Sequence, residues 1–311
     1  MKHLPASNLS NIASPTLDWL GSVTTQLTEN DTAQLLQAYA AAVICGDLQP
    51  ELQNDAIRKI EKIRAKLSSR LEHGLTRCNG TTVLLCCVLE HNLWGEMLPA
   101  LKDYADRAAT ALDELPASIV ADEFCAAGML LAAVGLFSEP LPSALTFAPD
   151  LSALLMGDEK TTRNLTSRIE SLTCYGTYSV KASVELDPVL ECLMMAALRR
   201  YNLELAGTLL RSLLYLGKRE GLAIRTALQF FLNSHNADGS FGFFDEEIKQ
   251  LRKDGPEPYA SLRIHLPVSL CCLWTLAEAS LDNYRLFRDL GSNSLLVHPC
   301  ENRSEKFRSR I

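Results

Sequence analysis

The sequence contains no uninterrupted run of about 18 apolar residues, the length that crosses a bilayer as a helix. Its first residues, Met1 to Ser7, also lack the apolar core of a signal peptide. We therefore expect a cytoplasmic protein without a membrane partner. In that compartment its ten cysteines are expected to be reduced thiols rather than disulfides, and mainly buried, with Cys86, Cys192 and Cys271 among the buried ones.

An excess of basic residues is also missing. The chain has 30 Lys and Arg against 37 Asp and Glu, which gives a net charge of −7. Nucleic-acid binding normally depends on a basic face, because phosphate contacts dominate the affinity. The one basic-leaning stretch lies in 296–311, where Glu301 and Glu305 interrupt it. We expect one domain over 1–295, a polar tail over 296–311 and no nucleic-acid partner.

The alternation of apolar and polar residues that marks a half-buried strand is absent, whereas helical periodicity is widespread. In the stretch that begins at Pro267, Leu270 and Trp274 share one helical face. Asp187 and Pro188 have the residue types of a helix N-cap and first helical position. Further helices are expected at about 31–46, 51–72, 80–92, 96–113 and 119–136. The pattern predicts an all-α protein.

Similar helices recur along the chain at a regular interval. Cys45 and Cys86 are separated by 41 residues, and Cys86 and Cys125 by 39. Cys192 and Cys271 are separated by 79, about two such intervals. A period near 40 is that of a helix-turn-helix hairpin. We therefore predict an α/α toroid of about five or six hairpins, with an open α-solenoid as the alternative.

Within 225–244, a helical pattern rich in aromatic residues runs into the turn Asn-Ala-Asp-Gly-Ser-Phe-Gly at 236–242. Asp238 can bond the backbone of its own turn, Gly239 can adopt a positive φ, and Phe241 can seal one hairpin against the next. This turn resembles the glutamine–tryptophan repeat of terpenoid cyclases and the related turn of protein prenyltransferase β subunits. Phe241 stands where that superfamily usually has Trp, and His235 lies near its usual Gln. The resemblance extends over 225–279 and implies the α/α-toroid fold.

The catalytic signatures of that superfamily are missing from the sequence. There is no Asp-x-Asp-Asp motif to protonate an alkene, no Asp-Asp-x-x-Asp motif to hold magnesium and a diphosphate, and no zinc-binding Asp-x-Cys with its later His. His298 and Cys300 form a His-x-Cys pair, but zinc prefers four ligands and no second pair has suitable spacing. We expect no metal and no cofactor.

Polar and aromatic residues are concentrated in 257–266, just before the helix expected from Pro267. We interpret this segment as a loop at the mouth of the ring. Arg263 could hold a carboxylate or phosphate with two hydrogen bonds, and His265 could act as an acid or base near neutral pH. The alternative role for these residues is to brace neighbouring helices.

Acidic residues begin two other helices that we place in the inner ring. Asp122 begins one, and Asp187 begins the other with Glu191 one turn later. The helix dipole stabilises such carboxylates whatever the function. If the inner helices run parallel, however, their starts meet at one pocket. The prediction assigns catalytic roles to His265, Glu191 and Asp187, and ligand contacts to Arg263, Tyr259, Asp122 and Trp274.

Three functions fit this sequence. The first is the binding of an apolar or peptide-like ligand in a central cavity, with or without catalysis in small-molecule or peptide biosynthesis. The second is a non-catalytic protein–protein interaction module. The third, implied by the resemblance alone, is a diverged terpene cyclase or prenyltransferase.

Overall fold

The computed structural model describes residues 6–23, 29–44, 54, 56–65, 80–114, 122–137, 146–147, 149–176, 180–182, 184–253 and 260–280. Helices predominate in these residues, which confirms the predicted all-α class. The described sheet is one parallel pair of two-residue strands, Thr146–Phe147 (β1) and Lys181–Ala182 (β2). Among the described helices, none has the length and apolar character needed to cross a bilayer.

The helices follow one another closely along the chain. Residues 56–65 form a helical stretch called α3 here. The others are α1 (Ala6–Val23), α2 (Glu29–Ile44), α4 (Gly80–Trp94), α5 (Pro99–Asp113), α6 (Asp122–Ala133), α7 (Leu151–Leu155), α8 (Glu159–Leu172), α9 (Asp187–Arg199), α10 (Leu203–Tyr215), α11 (Leu222–Asn233), α12 (Asp245–Lys253) and α13 (Ala260–Ser280).

Six of the described helices pack against one another in chain order. Helix α2 contacts α4, α4 contacts α6, α6 contacts α8, α8 contacts α10, and α10 contacts α13, which also contacts α2. Helix α5 packs against both α4 and α6, and α9 packs against α10 and α11. Helices α5 and α9 therefore lie beside this series of six helices.

Helices α8, α10 and α13 run parallel. Arg163 and Glu170 of α8 pair with Glu204 and Arg211 of α10, and the residues of both pairs are 41 apart in the sequence. Between α10 and α13, the Cys271 thiol donates to the carbonyl of Glu204 near the start of α10. At the other end of α10, the hydroxyl of Tyr215 donates to Glu278. The same ends of the three helices thus lie together.

Several of these helices contain segments that are buried on every face. Every residue from Val83 to Glu90 of α4 is buried. Every residue from Val268 to Glu278 of α13 is buried as well, and α10 is buried along most of its length. A helix that is buried on all sides is surrounded by other elements. Side chains therefore fill the space around these segments.

Two prolines that have the sequence context of helix starts lie inside longer helices instead. Pro15 is in α1 and Pro267 is in α13. The prediction of a loop over 257–266 is therefore wrong from Ala260 onward. A proline inside a helix removes one backbone hydrogen bond. Burial of the residues around Pro267, such as Leu266 at 2% exposure, offsets that loss.

The turn at 236–242 has the geometry predicted for it. Oδ1 of Asp238 accepts hydrogen bonds from the backbone N–H and the hydroxyl of Ser240, and Gly239 has φ of 95°. Phe241 is fully buried, and its N–H donates to Oγ of Ser269 on α13 at 2.9 Å. The turn is thereby fixed to α13.

The cysteines whose side chains the structure describes are free thiols, and most of them are buried as predicted. Cys86 and Cys271 are buried, whereas Cys192 is exposed. The prediction of a buried Cys192 is wrong because α9 packs against α10 and α11 and turns this residue toward solvent. Burial raises the pKa of Cys87 to about 12 and that of Cys272 well above the ordinary thiol value.

Native thiol labelling is expected to modify Cys192 rapidly and Cys86, Cys174 and Cys272 only after unfolding. The thiolate is the reactive form, and a buried thiol with a raised pKa supplies little of it. Mass spectrometry of peptides after a timed reaction with iodoacetamide measures each rate. A Cys272 that reacts as fast as Cys192 would contradict the packing of α13.

Candidate functional site

Polar and aromatic side chains gather inside the protein where α8, α10 and α13 approach their C-terminal ends. This set is called the Arg211 cluster and consists of Glu170, Tyr175, Arg211, Tyr215, Trp274 and Glu278. Charged residues are rarely buried unless they are paired. The three charged residues brought together here, Glu170, Arg211 and Glu278, therefore distinguish this place from the surrounding packing.

Arg211 is the central residue of the cluster. It is buried, and its Nη2 donates to Oε1 of Glu170 at 2.8 Å. Its guanidinium carbon lies 4.4 Å from the ring centroid of Trp274, a cation–π distance. Burial opposes the charge of Arg211, but Glu170 and the other nearby groups, Glu278 among them, together outweigh burial and hold its pKa above the ordinary value. Arg211 is therefore a permanent cation in the core.

Glu278 contacts the same indole through its ring nitrogen. Its Oε1 accepts hydrogen bonds from the Tyr215 hydroxyl at 2.7 Å and from Nε1 of Trp274 at 2.5 Å. Burial raises the pKa of Glu278 to about 7, although Arg211 and both hydrogen bonds favour the ionised form. A carboxyl group with this pKa exchanges protons near neutral pH, as a general acid or base must.

The loop after α8 places Tyr175 against this group. Tyr175 stacks on Trp274 with ring centroids 5.9 Å apart and an interplanar angle of 21°. Cys174 and Tyr175 have φ of 43° and 52°, values that are uncommon for residues other than glycine. Such backbone strain concentrates at functional sites. A Cβ at the following Gly176 would lie 2.7 Å from the Tyr215 ring, so the loop fits tightly.

Buried side-chain nitrogen and oxygen atoms without a hydrogen-bond partner are few in the described part of the chain. They are Nε of Arg211, Oε2 of Glu278 and Oε1 of Glu90. An unpaired buried polar atom costs about 1–3 kcal/mol. Two of the three belong to the Arg211 cluster, where one is a donor and the other an acceptor.

A second group has a similar composition and is called the Arg64 cluster: Arg64, Glu90, Trp94 and Glu96. Nε of Arg64 on α3 donates to Oε2 of Glu90 at 2.9 Å, and the guanidinium carbon lies 4.8 Å from the Trp94 ring centroid. Burial raises the pKa of Glu90 to about 7 against the opposing effect of Arg64. In both clusters Glu and Trp are four residues apart on one helix, with an arginine over the indole.

Of the residues predicted to form a site, His265 and Arg263 lie in the first turns of α13. Nδ1 of His265 donates to the carbonyl of Phe241 at 2.9 Å, and the Phe244 ring lies 5.4 Å away. His265 is buried and thus braces the turn at 236–242, which was the alternative role considered for it. Arg263 is exposed.

Asp187 and Glu191 lie at the start of α9. Asp187 is 3.8 Å from Nζ of Lys218, and Leu186 rather than Asp187 is the N-cap residue. Helix α9 packs against α10 and α11, and its expected place in an inner ring stays a prediction. Trp274 belongs to the Arg211 cluster. Asp187 and Trp274, which were both predicted to line one pocket, therefore have different partners. Tyr259 and the side chain of Asp122 lie outside the described residues.

Sequence reasoning found Trp274 but missed Glu170, Arg211 and Glu278. A signal for two of them was present. Arg211 interrupts the run Leu209-Leu210-Arg211-Ser212-Leu213-Leu214, and Glu278 follows the apolar stripe of Trp274 and Ala277. A single charge inside an apolar helix indicates a buried ionic or hydrogen-bonded group.

Comparisons with protein-family models, curated proteins and solved structures find no significant match. Within the described residues, no three or more His, Cys, Asp or Glu side chains are grouped so that they could hold a metal ion. The geometry of the two clusters is therefore the basis for an assignment of function.

Proposed function

We propose that this protein is an α/α toroid that binds a compact, largely apolar ligand through an amide group at the Arg211 cluster. The observation that carries the proposal is the pair of unpartnered atoms there, Nε of Arg211 and Oε2 of Glu278. An amide offers one acceptor and one donor, so it complements both atoms. A peptide bond and a primary carboxamide share this chemistry.

The aromatic residues of the cluster support an apolar body for that ligand. Tyr175 is in ring contact with both Tyr215 and Trp274, and all three residues are buried. Ligand sites are typically apolar and aromatic with a few placed polar groups. The strained backbone at Cys174 and Tyr175 lies against these rings, and such strain is concentrated at functional sites.

The contacts among helices support the ring. An open solenoid lacks contact between its first and last repeats. Here the contacts lead from α2 through α4, α6, α8 and α10 to α13, and α13 contacts α2. The parallel course of α8, α10 and α13 and the resemblance of the turn at 236–242 to that of terpenoid cyclases agree with this arrangement.

A non-catalytic protein-interaction module is the second candidate. The observation that favours it is the continuous burial of residues 83–90 of α4 and 268–278 of α13. Because side chains fill the space around these helices, a partner would bind at the outer surface of the protein. Unpartnered polar atoms at the Arg211 cluster favour the ligand-binding function over this one.

Three probes of similar size test the proposed ligand class. Acetamide both donates and accepts hydrogen bonds, acetate only accepts, and methylammonium only donates. Acetamide is expected to shift the indole N–H resonance of Trp274 more than either ion at equal concentration, because it alone pairs with Arg211 and Glu278 together. Two-dimensional NMR, with the resonance assigned from Trp274→Phe, measures the shift.

Glu278→Gln should weaken the acetamide response, because the substituted amide places a donor where the ligand needs an acceptor. Glu247→Gln, at an exposed carboxylate on α12, is the matched control. Equal responses to all three probes, or an unchanged response in Glu278→Gln, would exclude an amide ligand. Native mass spectrometry of the purified protein then identifies the natural ligand by its mass.

A further inference from the structure

The Arg64 cluster differs from the Arg211 cluster in which of its polar atoms lack a hydrogen-bond partner. Nε of Arg64 donates to Glu90, whereas Nε of Arg211 has no hydrogen-bond partner. Oε1 of Glu90 has no partner, and the Glu90 side chain is fully buried. A ligand here must supply a donor, and an acceptor is not required.

The charges around Glu90 favour a cation. One arginine faces two carboxylates, since Nη2 of Arg64 is also 3.8 Å from Oε1 of Glu96. Glu90 and Trp94 lie in the last two turns of α4, and the C-terminal end of a helix carries a partial negative charge. A positively charged donor therefore meets a net negative environment.

The cluster is also within reach of solvent. The Arg64 side chain is 20% exposed and that of Glu96 is 75% exposed. Trp94 is half-buried and lies under the arginine. The carboxylate that needs a donor is thus buried behind groups that contact water.

We propose that the Arg64 cluster is a binding site for a primary alkylammonium group, which donates to Oε1 of Glu90 while its alkyl chain lies against Trp94. A free amine and a lysine side chain both carry this group. The proposal does not depend on the amide ligand proposed for the Arg211 cluster, and it assigns a different chemistry to a different part of the fold.

Titration by NMR tests the proposal, with the indole N–H of Trp94 as the reporter. n-Butylammonium is expected to shift this resonance in a saturable way. Tetramethylammonium, which has the same charge and no N–H donor, is expected to leave it in place. Nα-acetyl-lysine methylamide, compared with the norleucine analogue, distinguishes a lysine side chain from a free amine as the source of the group.

Glu90→Gln is expected to weaken n-butylammonium binding about tenfold or more, because a charge-assisted hydrogen bond is lost. Glu96→Gln, at an exposed position, should weaken it less, and Glu114→Gln should leave it unchanged. Glu278→Gln should also leave it unchanged, which separates this site from the Arg211 cluster. Equal shifts with tetramethylammonium, or full affinity in both Glu90→Gln and Glu96→Gln, would overturn the proposal.

Discussion

Replacement of Gly239 by alanine is expected to lower the free energy of unfolding by roughly 3 kcal/mol or more, from overpacking and a left-handed backbone together. A Cβ at this position would lie 2.1 Å from the carbonyl oxygen of Pro15 and 2.4 Å from its carbonyl carbon. These are backbone atoms within α1, which cannot move aside as a flexible side chain can. Urea unfolding followed by circular dichroism measures the loss.

Gly217→Ala is the matched control. Gly217 has φ of 90°, close to the 95° of Gly239, but a Cβ there would meet nothing within 4 Å. It should cost only the backbone strain, about 1–2 kcal/mol. If the two variants lose equal stability, the turn does not pack against α1. A larger loss for Gly239→Ala shows that the contact between α1 and the turn at 236–242 contributes to the stability of the fold.

Much of the fold follows from local patterns in the sequence. Helical periodicity located α2, α4, α5 and α6 to within a few residues of their bounds. The turn at 236–242 could be predicted because Asp238 and Gly239 act on their own backbone. Pro267 was misread as a helix start, because tertiary burial decided that α13 continues across it.

The candidate site could not be predicted in the same way. Glu170 and Arg211 are 41 residues apart and meet only because α8 and α10 pack in parallel and in register. A sequence shows that Arg211 interrupts an apolar run, but the identity of its partner depends on tertiary packing. The predicted convergence of Arg263, His265 and Asp187 on one pocket stays a prediction.

Arg211→Met is expected to lower the free energy of unfolding by about 3–5 kcal/mol, because it leaves the buried Glu170 without its partner. Methionine keeps much of the side-chain volume, so the loss reports on charge more than on packing. Addition of Glu170→Gln should restore part of the stability, since no carboxylate then remains unpaired at that position. A double-mutant cycle from urea unfolding measures this coupling.

The pH dependence of Arg211→Met separates the loss of charge from the loss of packing. Burial raises the pKa of Glu170 and of Glu278, the latter to about 7, and Arg211 opposes both shifts. A carboxyl group with a raised pKa in the folded state binds more protons when folded, so its burial costs more as pH rises. Without Arg211 both values rise further, and the deficit in stability should be larger at about pH 8 than at about pH 5. A deficit that is the same at both pH values, with no recovery in the double variant, would show that Arg211 serves the core by its volume alone.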